Sequence, residues 1–578
     1  MKEKIKELIL RNEIISFDIF DTLIMRKTLY PEDIFDMVEM KALEKGINIP
    51  RFKEVRIKAI NENEHANPNI YEIYERLKNI VKITTEEMQT LQEMEIEFEL
   101  SMCICRNEMR ELLDFAINNK KKVYLITDMY LTKEIIEQIL NKNGITGYEE
   151  VLISCEYRTL KSENLFAIFK DNILADSYLH IGDNQFSDGE HARRNGINAI
   201  IIDSALTELE QSTYSSLFEK ASNLNERLFL GLIIAKMFNS PFIICNKEGE
   251  IVIQDITEIG YLFLGPILTE FTKWLICQVK NNYYRAILFA ARDGYIVKQL
   301  YDLAIEKLEM EDMPESLYFL TSRAACTAAC IDEERDIRWL TSVDFDGTPE
   351  KLLEKRLNIS EEDIVPYDLK KYPDLNDYVL LYSNQIINNS ECIKNGYLKY
   401  MENIGMKQQD NYAFFDFISS GTCQFFLSKF SPYNFEGLYF SRVQTNEEHK
   451  ENLKIKSFIS KKDDALEYNI EKKYQWAEGI ITSPMPSLHS FDILGKPKYN
   501  KELRSQKQIE CIGKVQEGIY NFFKDYIEIP CIGLNVISLE LADKLFGHVS
   551  KVEILQENCI EEMMLIDDWV FKQMKVER

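Results

Sequence analysis

Three apolar runs in the first part of the chain each end on a side chain that can do chemistry, and this constrains the fold more than any other feature. Ile14-Ile15-Ser16-Phe17 runs into Asp18, followed by Ile19-Phe20-Asp21-Thr22-Leu23. Lys122-Val123-Tyr124-Leu125-Ile126 ends on Thr127-Asp128, and Leu179-His180-Ile181-Gly182 ends on Asp183, with Asp188 a short turn later. Short apolar runs bounded by turn residues read as buried strands. A carboxylate at the C-terminal end of such a strand sits where open parallel sheets bind ligands. Between the second and third runs, Arg158-Thr159-Leu160-Lys161-Ser162-Glu163 places a lysine on a loop that opens a helix. Strands alternating with helical stretches predict a doubly wound parallel α/β sheet with right-handed crossovers.

Taken in order, strand-Asp, strand-Thr, loop-Lys and strand-Gly-Asp with a following Asp resemble the four motifs of the haloacid dehalogenase (HAD) superfamily, over roughly residues 12–205. The resemblance implies a Rossmann-like core and a Mg²⁺-dependent hydrolase or phosphotransferase. In it Asp18 is the nucleophile, forming an aspartyl-phosphate that splits one difficult hydrolysis into two easier steps. Repulsion between that carboxylate and a phosphate calls for a hard divalent cation on oxygen ligands. Asp18, Asp183 and the Phe20 carbonyl are the implied ligands, with Asp188 in or near the shell. Lys161 would neutralise developing charge, and the Thr127 hydroxyl would donate to a phosphoryl oxygen.

One position departs from the phosphatase pattern. The residue two after the nucleophile is usually a second Asp, which protonates the leaving group; here it is Phe20, and the carboxylate falls at Asp21. Neighbours in an extended segment point to opposite faces, so Asp21 cannot simply be assumed to replace the missing acid; it is a catalytic candidate for leaving-group protonation, with the cap and water as alternatives. Branches of the superfamily without that Asp include dehalogenases and phosphonate-cleaving enzymes, which leaves reaction type more open than fold.

At 578 residues the chain exceeds one ordinary core and suggests several domains. The formal net charge of −26 disfavours nucleic acid or an anionic membrane as a general partner, but not a small phosphorylated substrate held by a local cation. The cysteines form no CxxC pair and no zinc-like spacing with histidine, and Cys103, Cys105, Cys326 and Cys330 read as buried thiols. The apolar neighbourhood 259–279 is broken by Pro266, Glu270 and Lys273, so no membrane span is expected, and a reducing cytoplasm is the natural location.

Between the first and second motifs, at about 27–108, helices are expected to residue 44 and over 52–63, 70–78 and 84–103, the last opened by a Thr84-Thr85-Glu86-Glu87 capping box. They read as a helical cap over the active site, excluding water and selecting substrate. His191 reads as structural. Residues 206–240 are expected to be a helical linker, 241–500 a second α/β region, and 501–578 a helical C-terminal segment including 539–546 and 552–569.

In the second region two strands end on a turn. Ala286-Ile287-Leu288-Phe289-Ala290 leads to Arg292-Asp293-Gly294, and Tyr412-Ala413-Phe414-Phe415 to Asp416, followed by Ser419-Ser420-Gly421-Thr422. Small residues with free backbone N–H groups at a helix start can cradle an anion. Arg292, Asp293, Asp416, Ser419, Ser420, Gly421 and Thr422 are therefore a candidate second anion site. The pair also faintly resembles the strand-turn-helix units of type I phosphoribosyltransferases, while ordinary tight βα turns in a second α/β sheet are the better reading. Arg292, Arg323 and Arg442 each follow an apolar strand and could converge at one sheet edge, with surface salt bridging in an acidic protein the equal alternative. The segment 476–497 reads as a long Pro/Ser-rich loop. Through Ser16–Leu23 and Thr127-Asp128-Met129-Tyr130-Leu131 the whole chain resembles large HAD proteins associated with bacterial surface-polysaccharide gene clusters; the expected substrate is a small phosphorylated metabolite, a sugar phosphate among the candidates. A non-catalytic HAD-like phosphate-binding scaffold, or a bifunctional enzyme whose second region is phosphoribosyltransferase-like or transfers a sugar phosphate, are the alternatives.

Overall fold

The computed structural model describes residues 1–244, 250–443, 452–459, 468–554, 564–567 and 572–575. The chain forms two compact units. The first is Met1–Val252 with Asp525–Gly533 and Lys551–Glu553; the second is Ile253–Lys524 with Leu534–Ser550 and Ile554–Arg578.

In the first unit, β1 (Ile14–Phe17), β4 (Lys122–Thr127), β5 (Glu150–Ile153), β6 (Tyr178–Gly182) and β7 (Asn198–Ile201) form a parallel sheet in the order β5-β4-β1-β6-β7. Nearly all of β1, β4 and β6 is buried, which explains their unbroken apolar character in place of alternation. The chain moves from β1 outward to β5, then returns to the other side of β1 at β6. The switch point of this doubly wound sheet therefore lies where Asp18 and Asp183 leave their strands.

The helical insert rises from a short antiparallel pair, β2 (Ile24–Arg26) with β3 (Cys103–Cys105). Between them lie the helices Asp33–Glu44, Phe52–Asn61, Ile70–Val81 and Thr85–Met102. The Thr84 hydroxyl accepts from the Glu87 N–H at 3.1 Å while the Glu87 carboxylate accepts from the Thr84 N–H at 2.8 Å, so the capping box forms as expected. An ion pair lies at the centre of the bundle. Arg56 and Glu95, both fully buried, make a two-pronged contact at 2.9 and 2.8 Å, and the Tyr74 hydroxyl donates to Glu95 at 2.7 Å. The rings of Phe35, Tyr74 and Tyr130 surround the guanidinium.

Residues 206–240 are not a linker. They are helical and built into the first unit: Arg227 pairs with Asp33 at 2.7 Å and Asp36 at 2.6 Å. A Cβ on Gly231 would come within 2.5 Å of the Thr28 backbone. Shape complementarity that tight marks an integral helix.

The second unit has its own parallel sheet, built from Ala286–Ala290, Glu315–Phe319, Asn411–Ser419, Asn434–Arg442 and Ile455–Ile459, with the first strand between the second and third. Pro266 sits in the first turn of the helix Gly265–Lys280, whose Glu270 and Lys273 are fully buried and paired at 2.9 Å. That pairing explains charges inside an apolar run, and no helix among the described residues is long and apolar enough to cross a membrane.

Two further expectations fail. The expected loop 476–497 contains the helix Tyr474–Ile481, with Trp476 fully buried, and the strand Leu488–Phe491, which pairs with Pro497–Tyr499. The C-terminal segment is not all helical: Gln506–Ile527 and Leu539–Phe546 are helices, but Glu553–Ile554, Met564–Asp567 and Lys572–Lys575 are strands. The rest of the helix expected over 552–569 lies largely outside the described residues. Cys103, Cys326 and Cys330 are free and buried and Cys105 is free and half-buried, whereas Cys511 is disulfide-bonded.

Glu95→Ala would strand the Arg56 guanidinium without its partner in an apolar bundle. The expected cost is about 3–5 kcal/mol, read by urea denaturation. A loss under about 1 kcal/mol would show that the pair does not organise the insert.

Candidate functional site

Asp18 follows β1 directly, and its N–H donates to the Ile181 carbonyl of β6 at 2.9 Å, which fixes the turn at the switch point. Lys161 reaches it from the loop before the helix Leu165–Asn172. Its ammonium donates to Asp18 Oδ1 at 2.7 Å and to Asp188 Oδ1 at 2.5 Å, with all three side chains buried. The Asp128 carboxylate holds the Lys161 N–H at 2.9 Å. Thr127, also buried, ends β4 two positions beyond Leu125, the residue paired with Phe17.

Asp183 leaves β6, and Asp188 lies within a turn of π-helix, Gln185–His191. Such turns recur at functional sites because they re-aim one side chain. The Asn184 side chain caps the turn by accepting from the Phe186 and Ser187 N–H groups at 3.0 Å. A Cβ on Gly182 would come 2.4 Å from the Asp188 carboxyl carbon, so only glycine lets Asp188 fold back over the strand end. The Asn184 N–H donates to Asp188 Oδ2 at 3.1 Å.

Sequence reading passed over a buried relay behind Asp188. His180 is fully buried in β6, with Nε2 at 3.0 Å from Asp188 Oδ1 and Nδ1 at 2.8 Å from the Ser16 hydroxyl. A carboxylate can only accept, so Nε2 carries the proton and Nδ1 accepts from Ser16. Burial lowers the His180 pKa, against the pull of Asp188, and favours the neutral ring. Histidine and serine inside an apolar strand look like core positions. His191, at the end of the same π-turn, packs edge-on against Phe186 and lies apart from this relay.

Ligand atoms of Asp18, Asp183 and Asp188 lie within 4.8 Å of one another. Burial pushes the Asp18 carboxyl up to about 7, with Lys161 opposing and Asp188 adding repulsion. Burial pushes Asp183 up to about 8, and Asp18, Asp21 and Asp188 all add to it. Although burial works against it, Lys161 and His180 hold Asp188 below the usual carboxylate range. One ammonium thus serves three carboxylates, and the uncompensated charge falls on Asp183. An all-oxygen donor set with surplus negative charge fits a hard divalent cation such as Mg²⁺.

The segment is not extended at Asp21, so the alternation of faces does not apply there. Asp21 has φ of 60°, a left-handed conformation, and the buried Arg106 guanidinium donates to its carbonyl at 2.6 Å. Its charge adds to the upward push on the Asp183 carboxyl. Burial raises the Asp21 pKa, with Arg26 and Arg106 opposing. Phe20 is half-buried, its ring 4.4 Å from the Arg26 guanidinium, which is itself held by Glu99 at 2.8 and 3.0 Å.

In the second unit, Asp293, Asp416, Arg292 and Arg323 are electrostatic neighbours. They are joined by Glu478, which sequence reading had placed in a loop. Arg442 ends its strand opposite Ser419 and acts on Tyr439. Ser419 bonds the Asp416 side chain, and Ser420 and Thr422 hydroxyls lie 3.2 Å apart across Gly421.

No family model matches the chain, and no curated protein matches it. Among solved structures, a HAD family enzyme from Bacteroides thetaiotaomicron is similar at 16% identity over 36% of this chain and 98% of its own, with a TM-score of 0.26. A HAD phosphatase from Thermococcus onnurineus is similar at 15% identity over 33% of this chain and 86% of its own, TM-score 0.25. A dehalogenase with an intermediate complex is similar at 12% identity over 33% and 85%, TM-score 0.24.

If the crowding of carboxylates is what favours a cation, Asp183→Asn has two opposite effects. The metal-free protein gains stability, because the most disfavoured charge is gone, and the stabilisation by added Mg²⁺ disappears. At a concentration of about a hundred times Kd, Mg²⁺ should stabilise the unaltered protein by about 2.7 kcal/mol. Thermal unfolding with and without Mg²⁺ reads both, and an undiminished Mg²⁺ effect in the variant would contradict the assignment.

Proposed function

We propose that the first unit is a Mg²⁺-dependent phosphohydrolase or phosphotransferase acting on a small phosphorylated metabolite, a sugar phosphate being the class we favour. The observation that carries this reading is the buried contact of Lys161 with Asp18, beside Asp183 and Asp188, at the switch point of the sheet.

In this reading an Asp18 oxygen attacks phosphorus, the ester oxygen departs, and an aspartyl-phosphate forms on Asp18. Lys161 orients the attacking carboxylate and balances charge on the phosphoryl oxygens. Thr127 donates its hydroxyl to one of those oxygens. Asp18, Asp183 and Asp188 would hold Mg²⁺, with the Phe20 carbonyl a further ligand; the ion would screen the substrate phosphate from the carboxylates. Asp188 takes its orientation from Lys161, Asn184 and His180.

Leaving-group protonation falls to Asp21. In its favour, its charge acts on Asp183 and burial favours the protonated form that a donor needs. Water then cleaves the acyl phosphate, with the same carboxylate as base. The four helices of the insert would cover this chemistry and select the substrate.

Asp18→Asn should abolish turnover with the fold intact. Asp21→Asn should cost an alkyl phosphate about a hundredfold to ten-thousandfold while an aryl phosphate, which leaves without protonation, loses little. Steady-state rates on a matched pair of substrates read the difference. Equal losses on both would show that Asp21 only shapes the turn.

A further inference from the structure

The second unit places charged side chains from four segments at the switch point of its own sheet. Its strand order puts the first strand, Ala286–Ala290, between the second and third, so the crevice opens between the ends of the first and third. Asp293 leaves the first strand into the helix Gly294–Lys307. A Cβ on Gly294 would meet the Phe289 carbonyl carbon at 2.7 Å, so glycine lets that helix start hard against the strand end. Asp416 follows Phe415, which pairs with Phe289, and so lies within the adjoining strand Asn411–Ser419 level with the end of the first. Arg323 opens the helix after Phe319, the residue paired with Ala290. Glu478 comes from the helix Tyr474–Ile481, whose following turn is tied to the crevice by the Ser483 N–H donating to the Arg292 carbonyl at 3.1 Å. Arg504, buried, holds the Ser483 carbonyl at 2.9 Å.

The charges in this crevice are mixed and crowded. Burial pushes the Asp293 carboxyl up to about 7, with Asp416 adding to it and Arg292 and Arg323 opposing. Burial pushes Glu478 up to about 8, with Asp293 and Asp416 adding and the same two arginines opposing. Asp293, Asp416 and Glu478 are each half-buried.

The composition of the crevice narrows what fits it. A metal ion alone would leave two guanidiniums facing a cation, and among the described residues the compact ligand group is Asp18, Asp183 and Asp188 of the first unit. An inorganic anion alone would leave three carboxyls facing negative charge. A ligand with a phosphate at one end and hydroxyls at the other serves both sets, because guanidiniums match phosphate oxygens in two-pronged contacts and carboxylates accept from hydroxyls.

We infer that this crevice binds a phosphorylated sugar, its phosphate held by Arg292 and Arg323 and its hydroxyls by Asp293, Asp416 and Glu478. Nothing in this inference depends on turnover in the first unit.

The test is hydrogen exchange read by mass spectrometry on the full chain, with glucose 1-phosphate, ribose 5-phosphate and UDP-glucose as probes and inorganic phosphate as control. At least one ester should slow exchange in peptides covering 291–295, 416–423 and 476–483, at concentrations about tenfold or more below those at which phosphate does. Local readout separates this binding from any at the Asp18 cluster. Arg292→Ala should weaken protection about tenfold to a hundredfold, and Glu478→Gln should bring the ester down to the level of phosphate. Arg323→Lys, which keeps the charge but loses the fork, serves as a second variant, with unchanged exchange over 506–527 reporting an intact unit. Protection of these segments by none of the three esters, or equal protection by inorganic phosphate, would overturn the inference. An Arg292→Ala protein that binds as before would do the same.

Discussion

The contact of Lys161 with Asp18 and Asp188 is the interaction on which the charged cluster of the first unit depends. Three carboxylates at the ends of two neighbouring strands repel one another, and burial removes the water that would screen them. A single ammonium on a separate loop, donating to two of them, is what allows the cluster to exist inside the fold. Removing Lys161 would leave the Asp18 and Asp188 carboxylates buried without their cation. The surrounding structure serves that contact. Gly182 clears space for Asp188, Asn184 turns the chain, and Asp128 holds the lysine's backbone.

What the sequence made legible was the part encoded in short local patterns. A buried strand ending on Asp, and a glycine followed by two spaced acids, announce themselves because strand length, turn residue and chemical residue are contiguous. The side of Asp21 was not legible, because the alternation argument assumes extended backbone, whereas Asp21 has a positive φ and its carbonyl accepts from Arg106, far along the chain. The relay from Ser16 through His180 was hidden because two polar residues in apolar strands look like ordinary core. Its meaning appears only once β1 and β6 lie side by side, with Ser16 paired to His180.

The second unit follows the same rule with less legible signals. Its strands Ala286–Ala290 and Asn411–Ser419 were recognisable by their apolar runs, and Asp293 and Asp416 by their places at or near the strand ends. Glu478 was not, since a Pro/Ser-rich neighbourhood suggested a loop while Trp476 and Ile480 pin a helix into the core. Residues 206–240 were misjudged for a similar reason. An apolar helix between two strand-rich regions looks like a connector until Arg227 and Gly231 show what it packs against. Long-range packing decided each of these cases, and no local pattern carries it.

The central claim is that Asp18 becomes covalently phosphorylated. Acid quenching of the full chain during turnover of an aryl phosphate with Mg²⁺, followed by peptide mass spectrometry, tests it most directly. The account predicts a hydroxylamine-labile phosphoryl group on the peptide containing Asp18, and none in the Asp18→Asn protein. Turnover with Asp18 unmodified, or with the phosphoryl group on another residue, would contradict it.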